Sequence, residues 1–216
     1  MIDHIYCINM EKSRERRQKA QEQFESHGLD VEMFNATDGK TDAPDKILIT
    51  PSEWGCAKSH VRVWRDIVAH GYETTLVFED DVVLTPNFVE KLEKIMAELP
   101  DDWDFLNLGA PSFLRDDLRD RSENITEGKS FLMHAYLINI QCARKWSLID
   151  VDQLRVALDT FTSNYPSINL HVKEPIALQG SDDSTIGILR TYDWTFLIQK
   201  WGILIVIILY ILWRFL

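Results

Sequence analysis

A chain of 216 residues, 45% hydrophobic and 26% charged, has enough apolar surface to bury one core and carry a short appendage, which excludes general disorder. A net charge of -11 excludes the basic face that nucleic-acid binding requires. Cys7, Cys56 and Cys142 are too sparse for a disulfide scaffold, lack CxxC spacing and make no zinc motif, and they fit a reducing compartment.

Residues 2–9 predict a first strand, because Ile2, Ile5 and Cys7 alternate while Tyr6 and Ile8 add bulk, as in a strand buried on both faces; it ends at Asn9. Residues 11–27 predict a helix with Ser13 as N-cap, Ala20 and Phe24 as its apolar positions and Gly28 as its stop. Arg14, Arg16 and Arg17 crowd its first turn, where basic side chains oppose the helix dipole. An anionic ligand offsets that cost, since a diphosphate pairs with arginine forks; a solvated basic face is the alternative. Residues 31–36 predict a second strand that closes on Thr37-Asp38-Gly39, a turn whose acid is a candidate to accept from a nucleoside. A long helix follows, with Ala57, Val61, Trp64 and Val68 as its apolar face, Ser59 and His60 in its early part and Gly71 as its stop.

Residues 75–78 are β-formers that read as a buried strand, and three carboxylates, Glu79, Asp80 and Asp81, emerge at its C-terminal end. Open α/β sheets bind ligands at that end. Adjacent carboxylates repel one another unless a cation lies between them, and oxygen-only ligands suit Mg²⁺ or Mn²⁺; a solvated acidic loop is the bland alternative. Thr85 and Pro86 then open a helix with Phe88, Leu92, Ile95, Met96 and Leu99 as its stripe, ended by Pro100. Residues 103–108 predict a further strand, and residues 112–129, charged and poor in apolar positions, a mobile loop. Residues 131–140 predict a strand, 141–149 and 153–161 helices, and 168–172 and 175–179 two short strands. His171, in the first of these, is a candidate to complete a metal site, with a structural role in the strand as the alternative that a single histidine favours. Strands alternating with helices imply a mainly parallel sheet covered on both faces.

Residues 196–216 differ from everything before them. No charged residue lies between Trp201 and Trp213, and the stretch would extend about 31 Å as a helix at about 1.5 Å per residue, close to a hydrocarbon core of about 30 Å. The expectation is a domain over residues 1–192 and a C-terminal membrane-anchor helix over 196–216, with the domain on the cytosolic side.

Motifs in order carry a resemblance: Ile5-Tyr6-Cys7-Ile8-Asn9-Met10, Asn35-Ala36-Thr37-Asp38-Gly39, Ser52-Glu53-Trp54-Gly55-Cys56-Ala57-Lys58-Ser59-His60, Leu76-Val77-Phe78-Glu79-Asp80-Asp81-Val82, then Trp103-Asp104-Phe105 and His134-Ala135-Tyr136-Leu137-Ile138. Together they resemble glycosyltransferase family 25, which includes lipooligosaccharide and procollagen galactosyltransferases. The resemblance implies a GT-A-like, Rossmann-type fold and inverting transfer of a hexose, galactose or glucose, from a UDP-sugar to a hydroxyl of a glycan, glycolipid or protein. The acidic triplet would then be the counterpart of the DxD motif, with Asp81 and Glu79 on Mn²⁺ or Mg²⁺ and Asp80 toward donor hydroxyls. Asn9, Arg14, Arg17, Asp38, Ser59 and His60 would line the nucleotide-sugar site. Inversion needs a general base across the cleft. Asp182 and Asp183 are the first candidates and Glu53 the rival. A protein that kept the fold and binds sugar nucleotides without turnover is the competing class.

Overall fold

In a computed structural model, which describes residues 1–180, the chain is organised around an eight-stranded sheet. Its strands are β1 (His4–Asn9), β2 (Glu32–Asn35), β3 (Thr74–Glu79), β5 (Phe105–Asn107), β6 (Arg115–Asp120), β7 (Ile125–Ser130), β8 (Ala135–Asn139) and β9 (Asn169–Val172), in the spatial order β2-β1-β3-β8-β5-β9-β7-β6. A separate antiparallel pair joins β4 (Val82–Leu84) to β10 (Ala177–Gln179).

Alternation along the central strands builds a core on each face. Tyr6, Ile8, Val77, Tyr136 and Ile138 face α3 (Pro51–His70) and α5 (Ile140–Trp146) on one side. Cys7, Leu76, Phe78, Ala135 and Leu137 face α1 (Arg14–Ser26) and α4 (Phe88–Ala97) on the other. Helices therefore cover both faces, as expected of strands that are apolar on both sides. Side chains of β1, β3 and β8 are almost wholly withdrawn from water, with Tyr6, Cys7, Leu76, Val77, Phe78 and all of Ala135 to Ile138 at 0% exposure.

The sheet is mixed. Six strands run one way, but β8 is inserted antiparallel between β3 and β5, and β7 is reversed beside β9. The four apolar positions of β8, Ala135 to Ile138, show that it is central, but an apolar run carries no direction. The region expected to be a mobile loop, 112–129, forms the β6–β7 hairpin instead. β6 is charged because it forms the edge of the sheet, where charge blocks pairing with another chain, while β7 is paired on both sides. Arg119 lies opposite Glu127 and ion-pairs with it at 2.7 Å, which is the cross-strand stabilisation a sheet edge can use. The helix expected over 153–161 divides into a 3-10 turn at Val151–Gln153 and α6 (Leu158–Ser163). The start of α4 is also corrected: Asn87, with φ 59°, precedes it, and Thr85 lies in the connection from β4.

Two helix starts set the frame of the site. Thr50 and Glu53 form a capping box, each side chain accepting from the other's backbone N–H. The short helix α2 (Gly39–Asp42) meets α3 backbone to backbone: a Cβ on Gly39 would come within 1.7 Å of the Pro51 carbonyl, and one on Gly55 within 2.6 Å of Gly39 N.

Candidate active site

Parallel pairing of β1 with β3 sets Ile8 beside Glu79, so Asn9 and the acidic triplet emerge together at the C-terminal ends of adjacent central strands. The turn is fixed by backbone bonds: Glu79 N donates to His134 O at 2.8 Å and Asp80 N to Ile8 O at 3.1 Å. β4 then leaves the turn and pairs with β10, after which Gly180 N donates back to Asp81 O at 2.7 Å.

The three acids diverge. Glu79 turns toward α3, where its Oε1 lies 3.1 Å from His60 Nε2 and 3.9 Å from Cys56 Sγ. Asp80 accepts from Asn9 Nδ2 at 2.7 Å and pairs with Arg16 Nη2 at 2.7 Å. Asp81 pairs with the same guanidinium at 3.1 Å and accepts from Gln179 Nε2 at 3.1 Å. The Asp80 and Asp81 side chains are only 9% and 7% exposed.

Burial and mutual repulsion distribute the charge unevenly. Burial works to raise Glu79, but the bond to His60 and its charge outweigh it and hold Glu79 below the usual carboxylate range. Asp80 is raised by burial, against the pull of Asn9 and Arg16. Asp81 is pushed up to about 7, first by burial and then by the Glu79 charge, with Arg16 and Gln179 opposing. Among the described residues, one guanidinium, that of Arg16, faces these two buried carboxylates.

Among the described residues, three acceptor oxygens around this turn are buried without a hydrogen-bond partner: Asp81 Oδ1, Asn9 Oδ1 and Gln179 Oε1. Buried acceptors are seldom left unpaired. An all-oxygen set that includes an anionic carboxylate suits Mg²⁺ or Mn²⁺, so the residues present fit such a cation.

Other residues singled out from the sequence take different places. Ser59 is buried, accepting from Thr37 N at 2.9 Å and donating to Gly55 O at 2.7 Å, so it ties the loop after β2 to α3. His60 Nδ1 lies 2.9 Å from the Tyr136 hydroxyl, which accepts from Trp64 Nε1 at 3.0 Å. Asp38 caps α2, accepting from Lys40 N at 3.1 Å, and its ion pair with Lys12 holds it low. Arg14 is exposed and Arg17 half-buried on α1. Glu53 Oε2 accepts from Thr50 N and Oγ1, each at 2.7 Å. Asp182, Asp183 and the expected membrane helix over 196–216 lie outside the described residues. Among the described residues, no helix is long and apolar enough to cross a membrane.

From the sequence, Arg16 is one of three basic residues for an anionic ligand, not the partner of Asp80 and Asp81, and Gln179 is not among the candidates. The signal for Arg16 was present: Ala20 and Phe24, four and eight residues on, place it on the buried stripe of α1, although Arg17 shares the edge of that stripe. Gln179 had none, since its contact with Asp81 joins positions 98 residues apart. Asp159 was also missed: it accepts from the backbone N–H of Leu132 at 3.1 Å, and Leu132 is held at φ 68°.

Comparisons with known proteins identify the family. The sequence pattern of Glycosyltransferase family 25 (LPS biosynthesis protein) matches residues 2–162. A Glycosyltransferase 25 family member of Aedes aegypti is 32% identical over 167 residues, 67% of this chain and 28% of the relative. Procollagen galactosyltransferase 2 of Mus musculus is 28% identical over 129 residues, 50% of this chain and 21% of the relative. Inactive glycosyltransferase 25 family member 3 of the same species is 25% identical over 168 residues, 67% of this chain and 28% of the relative. The chain thus spans less than a third of the length of these relatives. In structure, a glycosyltransferase involved in the glycosylation of the major capsid of PBCV-1 superposes with a TM-score of 0.52 at 10% identity, covering 84% of this chain and 93% of that one, a likeness of fold alone. With the ordered motifs of the sequence, the match across residues 2–162 establishes that the chain belongs to glycosyltransferase family 25.

Proposed function

We propose that the domain is a metal-dependent, inverting glycosyltransferase that moves a hexose, galactose or glucose, from a UDP-sugar to a hydroxyl of a glycan, glycolipid or protein. The observation that carries this reading is Asp81, a buried carboxyl at a central strand end whose Oδ1 has no hydrogen-bond partner among the described residues, pushed up to about 7 by burial and then by the charge of Glu79. Asp81, with the oxygens of Asn9 and Gln179, would hold Mn²⁺ or Mg²⁺, and Glu79 adds negative charge beside it. Held by these residues, such a cation would supply Lewis-acid stabilisation of the negative charge that develops on the diphosphate leaving group.

The chain's own groups divide the remaining work. Arg16 fixes Asp80 and Asp81 in place, so that neither has to reorganise as charge develops. Arg14 and Arg17 present the basic first turn of α1 to the diphosphate. Asp80 and Asp38 serve the donor's hydroxyls and nucleoside, and His60 and Ser59 hold the α3 wall of the cleft. A base takes the proton of the acceptor hydroxyl as that oxygen attacks the face opposite the leaving diphosphate. Asp182 and Asp183 are the first candidates for that base, with Glu53 as the rival. Glu53 already serves the capping box.

A second reading, a sugar-nucleotide-binding protein without turnover, is favoured by the likeness to an inactive relative. Thermal-shift screening of UDP-, GDP- and CMP-sugars, each with and without Mn²⁺, tests the donor assignment. The proposal expects stabilisation by a UDP-sugar that depends on Mn²⁺. Stabilisation by a GDP- or CMP-sugar alone, or without the ion, contradicts it.

A further inference from the structure

We propose that Cys56, His60 and Glu79 form a zinc site with three protein ligands and one open position, distinct from the oxygen set around Asp81. Cys56 and His60 are four residues apart on α3, which places both on one face of the helix, and β3 ends opposite that face at Glu79. One ligand atom from each, Sγ, an imidazole nitrogen and a carboxylate oxygen, lies within 4.8 Å of the other two. The separations of 3.1 Å from His60 Nε2 and 3.9 Å from Cys56 Sγ to Glu79 Oε1 bracket the edges of a tetrahedral zinc site, roughly 3.3–3.6 Å for bonds of about 2.0–2.3 Å. To bind an ion, the three ligand atoms, which lie within 4.8 Å of one another, draw in to those edges.

The surroundings match what a metal-bound histidine needs. With Nε2 on the ion, Nδ1 carries the proton and donates to the Tyr136 oxygen 2.9 Å away, which still accepts from Trp64 Nε1 through its other lone pair. That chain fixes the ring from behind and leaves Nε2 aimed at the Glu79 and Cys56 side. His60 is 1% exposed, whereas Cys56 is half-buried and the Glu79 side chain is 25% exposed, so an ion has access from the Glu79 side. A thiolate selects zinc over the hard cations that suit the oxygen set, and a thiolate with a carboxylate balances its charge. Three protein ligands leave a fourth position for water or another donor. The inference does not depend on turnover, because its test reads metal binding directly. It also revises the sequence expectation that the cysteines make no zinc site, since C-x3-H on a helix becomes a ligand pair only when a strand supplies the third ligand.

Titration of the metal-free full-length chain with Co²⁺ tests the site. The expected result is a one-to-one complex with thiolate-to-cobalt charge-transfer absorption and the visible bands of four-coordinate cobalt, both erased by added Zn²⁺. Cys56→Ser removes the charge-transfer absorption, Glu79→Gln weakens binding by about tenfold or more, and Cys7→Ala and Cys142→Ala retain the absorption. Zn²⁺ also slows alkylation of Cys56 by iodoacetamide in the unmodified protein, followed by peptide mass, which needs no variant to fold. Absence of the charge-transfer absorption, its survival in folded Cys56→Ser, or an alkylation rate that Zn²⁺ leaves unchanged overturns the site.

Discussion

At the scale of the residue, Asp81 concentrates the chemistry and makes it pH-dependent. Its carboxyl rises from 3.8 to about 7 in the fold. The native state therefore holds a proton that the unfolded chain has released, and stability of the metal-free protein falls as pH rises from about 4 through about 7. Cation binding has the opposite dependence, because the ligand must lose that proton, so affinity for Mn²⁺ rises through the same window. Calorimetry of Mn²⁺ binding between pH 5.5 and 8.5 should show the midpoint. Arg16→Gln should move it upward, since the guanidinium opposes the rise, and a midpoint unchanged by that variant would show that Arg16 does not set the charge of the site. That Asn9, Asp80 and Asp81 would emerge at the ends of strands was legible, because a strand-end position is a local property. Gln179 and the Cys56 pairing with Glu79 were not, because sequence spacing says nothing of contacts made across the sheet.

At the scale of the element, the wall of the site depends on two glycines. Gly39 and Gly55 bring α2 and α3 into backbone contact, and a methyl at Gly55 would sit 2.6 Å from Gly39 N and 2.9 Å from Thr37 O, atoms that belong to backbone and cannot swing aside. Gly55→Ala should destabilise the domain by about 1–3 kcal/mol, the range for overpacking, read as a lowered midpoint in urea. An unchanged midpoint would show that α2 is free to move. Most helices were readable from their stops: Gly28 and Gly71 both adopt positive φ, 69° and 74°, at the ends of α1 and α3. The β6–β7 hairpin was not readable, because an edge strand such as β6 carries the same charged residues as a loop, and the antiparallel insertion of β8 was hidden because burial on both faces records centrality without direction.

At the scale of the whole molecule, the two-faced α/β architecture followed from the alternation of strands and helices, and it places β1 and β3 side by side with Asn9 and the acids at one end. Family membership rests on residues 2–162 and leaves the C-terminal stretch to be tested by itself. We propose that residues 196–216 anchor the protein to a membrane, with the domain on the cytosolic side. Carbonate-resistant membrane association should be lost when residues 201–216 are deleted, and a full-length protein found wholly in the supernatant would refute the anchor.

The central claim is that Asp81 holds a divalent cation for transfer from a sugar nucleotide. Its most direct test is turnover of a UDP-sugar by the full-length protein and by Asp81→Asn, each with Mn²⁺ and with EDTA. The account predicts turnover that requires the ion and is lost in Asp81→Asn, while that variant keeps the unfolding transition of a folded domain. Turnover that persists in EDTA, or in the variant, would contradict it.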